Sequence, residues 1–105
     1  MSETVPVPVE AVRIDATDGI DPIIVFWVNV EPGKGYVTVI CYGSAWTAYF
    51  GSMGGLTIQQ FFSEVDVDYL VTKMGNTPQL KRGKRHDSYL ARIVKVIQAS
   101  LEEAA

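Results

Sequence analysis

Alternation of apolar and polar positions predicts consecutive β-strands in the first half of the chain. The runs 23–30, 36–42 and 45–50 are rich in β-branched and aromatic residues. The segments between them, 31–35 and 43–44, contain the proline, glycine and serine residues that tight turns favour. A weaker alternation over 10–16 predicts a half-exposed first strand. Together these runs predict an antiparallel meander.

The alternation also assigns the two faces of the predicted sheet. On strand 36–42 the apolar set is assigned to the core, and on strand 45–50 the set with the larger side chains is assigned to it. The core set is Val37, Val39, Cys41, Trp46, Ala48 and Phe50, and the opposite set is Tyr36, Thr38, Ile40, Tyr42, Ala45, Thr47 and Tyr49.

Three tyrosines of the opposite set form the first candidate site. Tyr36, Tyr42 and Tyr49 are predicted to make an exposed aromatic strip beside an acidic turn that contains Asp18 and Asp21. Exposed tyrosines often anchor protein interfaces, because they bury much area and lose little rotamer freedom. The strip is therefore the predicted partner-binding surface. A second subunit or an N-terminal strand covering it is the alternative.

Helical spacing replaces strand alternation in the second half of the chain. Thr57 and Gln60 have the spacing of a capping box, which begins a short helix. Asp66 is the predicted N-cap of a second short helix that ends at Gly75. The polar segment 76–86 is predicted to be an exposed loop. Asp87 or Ser88 is then predicted to begin a long helix whose apolar stripe is Leu90, Ile93, Val94, Ile97 and Leu101.

The order of these elements predicts an α+β fold. An antiparallel three- to four-stranded meander sheet is followed by two short helices and one long C-terminal helix, with the helices packed on one face. A length of 105 residues fits a single domain. Residues 1–9, in which valine and proline alternate, are predicted to be an extended tail or an edge-strand lead-in, and 10–105 the α+β domain.

Composition narrows the class of protein. The single cysteine excludes an intrachain disulfide. The sequence has neither a basic start nor a long apolar run, so we expect no signal peptide and no membrane span. We therefore expect a cytoplasmic protein. The net charge of −3 is uneven, because residues 1–68 have nine acids against two bases while 69–105 have seven bases against three acids. Such a division indicates a bipolar surface or ends that neutralise each other in the fold.

Residues with catalytic or metal-binding chemistry are few. Cys41 and His86 are the only cysteine and histidine, and they are too few and too far apart for a zinc site. Cys41 is predicted to be a buried apolar side chain and His86 a solvated loop residue. The glycine-rich turn 51–55 before Thr57 lacks the lysine of a phosphate-binding loop. We therefore expect a non-enzymatic protein with no metal and no cofactor.

A cluster of basic residues supports an alternative function. Lys81, Arg82, Lys84 and Arg85 lie in the predicted loop, and with an aromatic sheet face they could bind single-stranded nucleic acid. The acidic net charge of the chain argues against this alternative.

Part of the chain resembles a family of small phage and prophage accessory proteins. The shared pattern is a CYG-x-x-W strand, an aromatic and glycine-rich turn with methionine, a helix with a Phe-Phe pair, and an aspartate-tyrosine-leucine segment followed by lysine. Here it comprises Cys41-Tyr42-Gly43, Trp46, Tyr49 to Gly54, Phe61-Phe62, Asp68-Tyr69-Leu70 and Lys73.

The resemblance implies a phage or prophage protein that binds, and inhibits, a host macromolecule. Inhibitors of bacterial defence systems, anti-CRISPR proteins among them, are one class of that kind. A host protein is therefore the expected partner. Nucleic acid, bound through the basic residues, is the alternative, and a homodimer is compatible with either.

Overall fold

The computed structural model describes residues 4–17, 19–75 and 84–104. Four strands form one antiparallel sheet in the order β1-β2-β3-β4, so the predicted α+β class and meander are confirmed. Three helices follow. The elements are β1 (Val9–Ile14), β2 (Ile23–Glu31), β3 (Lys34–Cys41), β4 (Ser44–Phe50), α1 (Ile58–Glu64), α2 (Val67–Gly75) and α3 (Lys84–Ala104).

The turn between β3 and β4 lies one residue earlier than the sequence analysis predicted, at Tyr42 and Gly43. Tyr42 and Gly43 both have positive φ, at 47° and 80°. Two-residue hairpin turns favour positive φ at both central positions, because that twist matches the twist of the strands. Strand β3 therefore ends at Cys41, and Tyr42 belongs to the turn and not to the strand.

The inner face of the sheet and the helices enclose the core. The face assignments of β3 and β4 are confirmed, because Val37, Val39, Trp46 and Phe50 are buried. The Trp27 and Phe62 rings meet edge to face with centroids 5.3 Å apart. The predicted stripe of α3 packs into the same core through Leu90, Ile93, Val94 and Ile97, with Leu101 half-buried at its end.

Side-chain hydrogen bonds attach both ends of α1 to other elements. The predicted capping box is confirmed, since Thr57 and Gln60 exchange both of its hydrogen bonds. Asn29 of β2 accepts from the Ile58 N–H at 2.8 Å and donates to Gln59 at 2.9 Å. At the other end, Gln98 of α3 donates to the carbonyl oxygens of Phe62 and Val65, both at 3.0 Å. This seven-residue helix is thus held between β2 and α3.

The start of α3 corrects the prediction for the segment 76–86. The helix begins at Lys84, so Lys84, Arg85 and His86 are helical, and the prediction that Asp87 or Ser88 begins the helix is wrong. The reason is a tertiary contact, since Trp46 donates a hydrogen bond to His86 and holds the first turn of α3 against β4. Residues 76–83 lie outside the described part of the chain.

Candidate interaction face

The side of the sheet turned away from the helices is largely apolar, and its charged side chains lie at its margins, among them Lys34, which pairs with Glu31 at 2.8 Å. The strand register arranges its side chains in three rows, each crossing all four strands. Of these residues only Arg13, at one corner, has a formal charge. We call this surface the outer face. Its first row is Val9, Val28, Tyr36 and Tyr49, its middle row is Ala11, Phe26, Thr38 and Thr47, and its third row is Arg13, Ile24, Ile40 and Ala45.

Two tyrosines dominate one end of the outer face. Tyr36 and Tyr49 are directly opposite on β3 and β4, with ring centroids 4.7 Å apart. They remain 44% and 47% exposed. Each ring restricts its neighbour, so a partner would meet a partly ordered aromatic surface and would lose little side-chain entropy in binding it.

A hydroxyl pair lies in the middle row. Thr47 donates its hydroxyl proton to the Val37 carbonyl oxygen at 3.2 Å. Thr38 and Thr47 are 2.9 Å apart, so the Thr38 hydroxyl is the donor between them. The hydroxyl groups are thus engaged with each other and with the backbone, which lowers the cost of covering this row with another apolar surface.

Tyr42 and Asp21 lie at the opposite end of the sheet from the tyrosine pair. Tyr42 is six positions from Tyr36 along the chain, which at about 3.4 Å per residue is roughly 20 Å. Asp21 is near Tyr42, since its carbonyl oxygen accepts a hydrogen bond from the Cys41 thiol at 3.6 Å. The predicted tyrosine strip is therefore divided, with Tyr36 and Tyr49 in contact at one end of the sheet and Tyr42 near Asp21 at the other. Asp18 lies outside the described residues.

The basic residues of the nucleic-acid alternative are only partly described. Lys81 and Arg82 lie outside the described ranges, and Lys84 and Arg85 are described by their backbone alone. That backbone is the first turn of α3. Since α3 packs on the inner face, Lys84 and Arg85 are on the opposite side of the sheet from the tyrosine pair.

Sequence reasoning missed a polar cluster between the sheet and the start of α3. Trp46 donates its indole N–H to His86 Nε2 at 2.9 Å, and His86 Nδ1 lies 3.1 Å from an Asp87 carboxylate oxygen. The acceptor role of Nε2 places the ring proton on Nδ1, where it is donated to Asp87. His86 is therefore a mostly buried contact, 17% exposed at its side chain, and not the predicted solvated loop residue.

Cys41 and Tyr89 extend this cluster. The thiol and the phenol oxygen lie 3.2 Å apart. The pKa of Tyr89 is raised to about 12, and the hydrogen bond to Cys41 is the largest cause. Burial of the phenol is the second cause. As predicted, Cys41 is buried, at 1% exposure. The signal that could have revealed the cluster is Trp46 itself, because a buried indole N–H usually has an acceptor.

Removing the acceptor on His86 is expected to weaken the attachment of α3. We expect His86→Leu to lower the free energy of unfolding by about 1–3 kcal/mol, because the buried Trp46 N–H loses its partner. His86→Gln keeps an acceptor and should lose less. Urea unfolding, monitored by tryptophan fluorescence, measures the stability of both variants. Equal losses would contradict the hydrogen-bonding role.

The described residues contain no group of three or more metal-ligating side chains arranged to hold an ion. No helix among them is long and apolar enough to cross a membrane.

Comparison with known proteins identifies a family. A family model described as a phage family, Phage_phiTE_072, matches residues 2–103. The chain belongs to this phage family. The phage setting that the sequence resemblance implied is therefore confirmed. No curated protein and no solved structure matches this phage protein.

Proposed function

We propose that this phage protein is a non-enzymatic accessory protein that binds and inhibits a host protein through its outer face. The observation that supports the proposal most is the Tyr36–Tyr49 pair, two exposed rings on a largely apolar sheet surface. Membership of a phage family supports the host as the source of the partner. A host defence protein, the kind of target that anti-CRISPR proteins have, is the partner class we favour.

The chemistry of the outer face favours a protein over a nucleic acid. Nucleic-acid binding depends on several cations that contact phosphates. The outer face offers only Arg13, whose guanidinium Nε lies 3.5 Å from an Asp15 carboxylate oxygen. An apolar surface with aromatic anchors matches the buried centre of a protein interface, where charged residues are depleted.

Inhibition in this proposal works by occupancy. Tyr36 and Tyr49 would fill apolar depressions on the partner, and the surrounding valine, isoleucine and threonine side chains would exclude water from the contact. Central aromatic anchors commonly contribute about 2 kcal/mol or more each to binding. Loss of both should therefore weaken the complex by a factor of about a thousand, since 1.4 kcal/mol corresponds to tenfold.

The test is capture of a partner from host lysate by the tagged protein. We expect Tyr36→Ala with Tyr49→Ala to abolish capture, because both anchors are lost. Tyr42→Asn is the matched control: Tyr42 is 82% exposed but lies at the other end of the sheet, and asparagine tolerates its positive φ. Circular dichroism should show all variants folded.

A nuclease-treated arm separates the two partner classes. Capture that survives nuclease supports a protein partner. Capture that disappears with nuclease, or that Tyr42→Asn removes and the double variant does not, would overturn the proposal. The first of these outcomes would favour the nucleic-acid alternative.

A further inference from the structure

The outer face has a second property, which concerns a different occupant. Every helix contact with the sheet is on the inner side, so no described helix covers the three rows. Four strands about 4.8 Å apart and three rows about 6.8 Å apart give a surface of roughly 19 by 20 Å. The largest exposed apolar patch of a typical monomer is about 300–600 Å² and is often functional, so this surface has the size of a contact surface.

We infer that a second copy of this chain covers the outer face, in a two-fold sandwich whose axis runs parallel to the strands. This inference concerns the same surface as the proposed host contact but does not depend on it. Two sheets pack face to face about 10 Å apart when their side chains interdigitate. The question is therefore whether the outer face complements itself.

The order of side-chain sizes along each row shows whether the outer face complements itself. A two-fold axis parallel to the strands and central to the sheet lays β1 of one copy over β4 of the other, and β2 over β3. Each row then meets its own reverse. Tyr49 faces Val9 and Tyr36 faces Val28 in the first row. Large rings thus meet smaller branched side chains, which is the condition for interdigitation.

The other two rows follow the same rule. In the middle row Phe26 faces Thr38, and in the third row Arg13 faces Ala45. The single charge of the outer face therefore meets a methyl group at the rim and not its own copy. Like charges are kept apart, as an isologous interface requires.

The alternative axis fits less well. An axis perpendicular to the strands lays each strand over its own copy and reverses the order of the rows. Tyr49 would then face Ala45, but Thr38 and Phe26 would each face themselves. Two Phe26 rings would compete for the same space while the threonine hydroxyl pairs left a gap beside them. Self-complementarity thus favours the axis parallel to the strands.

The area buried between the two copies indicates how stable the dimer should be. Two projected faces of about 400 Å² bury about 800 Å², and the relief of the side chains increases this figure. Specific interfaces begin near about 1,000–1,200 Å² in total. The expected result is a reversible dimer that dissociates on dilution, and a host protein binding the same face would have to displace the second copy.

Sedimentation equilibrium on the pure, full-length protein tests the dimer. From low micromolar to near-millimolar concentration, the mass should rise from one chain to two. Thr38→Lys places an ammonium in the middle row and should give a monomer throughout this range. Thr72→Lys makes the same change at an exposed position of α2 and should leave the equilibrium unchanged. A monomeric wild type, or a Thr38→Lys variant that still dimerises, would overturn the inference.

Cysteine cross-linking tests the axis. Val9→Cys with Tyr49→Cys should give a covalent dimer under mild oxidation, because the two positions face each other across the proposed axis. Ala45→Cys with Tyr49→Cys reports the perpendicular axis. Neither pair can close within one chain, since β1 and β4 are opposite edges and 45 and 49 are four residues apart on one strand. Cross-linking of only the second pair would overturn the proposed axis.

These results are distinguishable from those of host capture. The dimer measurements use no host material, so a monomeric wild type leaves the proposed function standing. Conversely, absence of capture leaves the dimer intact.

Discussion

Replacement of Ile93 by alanine is expected to lower the free energy of unfolding by about 2–5 kcal/mol. Ile93 is fully buried in the centre of the apolar stripe of α3, where that helix packs into the core. Truncation removes apolar contacts and leaves a cavity that rigid neighbours fill only in part. A domain of this size has a total stability of about 5–15 kcal/mol, so the loss is a large fraction of it.

Urea or thermal unfolding measures the effect. Lys95→Ala is the matched control, since Lys95 is on the same helix but exposed, and it should change stability by less than about 0.5 kcal/mol. If both variants lost equally little, the stripe of α3 would not be core, and the packing described above would be wrong.

Replacement of Gly33 by alanine is expected to cost about 2–5 kcal/mol, from two sources. Its φ is +79°, which costs a residue with a side chain about 1–2 kcal/mol. An added Cβ would also collide with the carbonyl oxygen of Gly54, and overpacking typically costs about 1–3 kcal/mol more. The contact matters because the Met53 N–H donates to the Gly33 carbonyl oxygen at 3.0 Å, joining the β2–β3 turn to the segment before α1.

Gly43 provides the comparison within the same protein. It has nearly the same φ, +80°, but no atom lies within 4 Å of the position that a Cβ would take. Gly43→Ala should therefore show only the backbone cost of about 1–2 kcal/mol. The difference between the two variants, read from paired denaturation curves, isolates the steric part. Equal losses would mean that the approach of residue 54 contributes nothing.

The regular parts of the fold could be predicted because their signals are local. Strand alternation assigned Val37 and Val39 to the core, and the spacing of Thr57 and Gln60 gave the start of α1. Both depend on residues close in sequence, for which two-fold periodicity and capping geometry are sufficient.

Two errors arose where strand alternation and local polarity do not decide the structure. Tyr42 continues the alternation of β3, yet the hairpin places it in the left-handed region, which alternation cannot show. The segment around His86 looks like a polar loop, yet a tryptophan 40 positions earlier holds it in a helix. Turn geometry decided the first place, and a tertiary contact overrode local propensity at the second.

The outer face was predicted only in outline. Alternation identified Tyr36 and Tyr49 as outward-facing, but the register between strands was needed to show that they touch and that Tyr42 does not join them. Register depends on turn length and on bulges such as the irregularity between Asn29 and Glu31. The size order along each row, on which the proposed two-fold axis rests, depends on that register.

Labelling of the buried Cys41 thiol can report local opening of the fold. Its thiol is the only one in the chain, and it is enclosed between the sheet and Tyr89 of α3. A thiol reagent can reach it only when the helix and the sheet separate. The rate of labelling in native buffer therefore measures the opening equilibrium of this end of the molecule, separately from global unfolding and without an engineered cysteine.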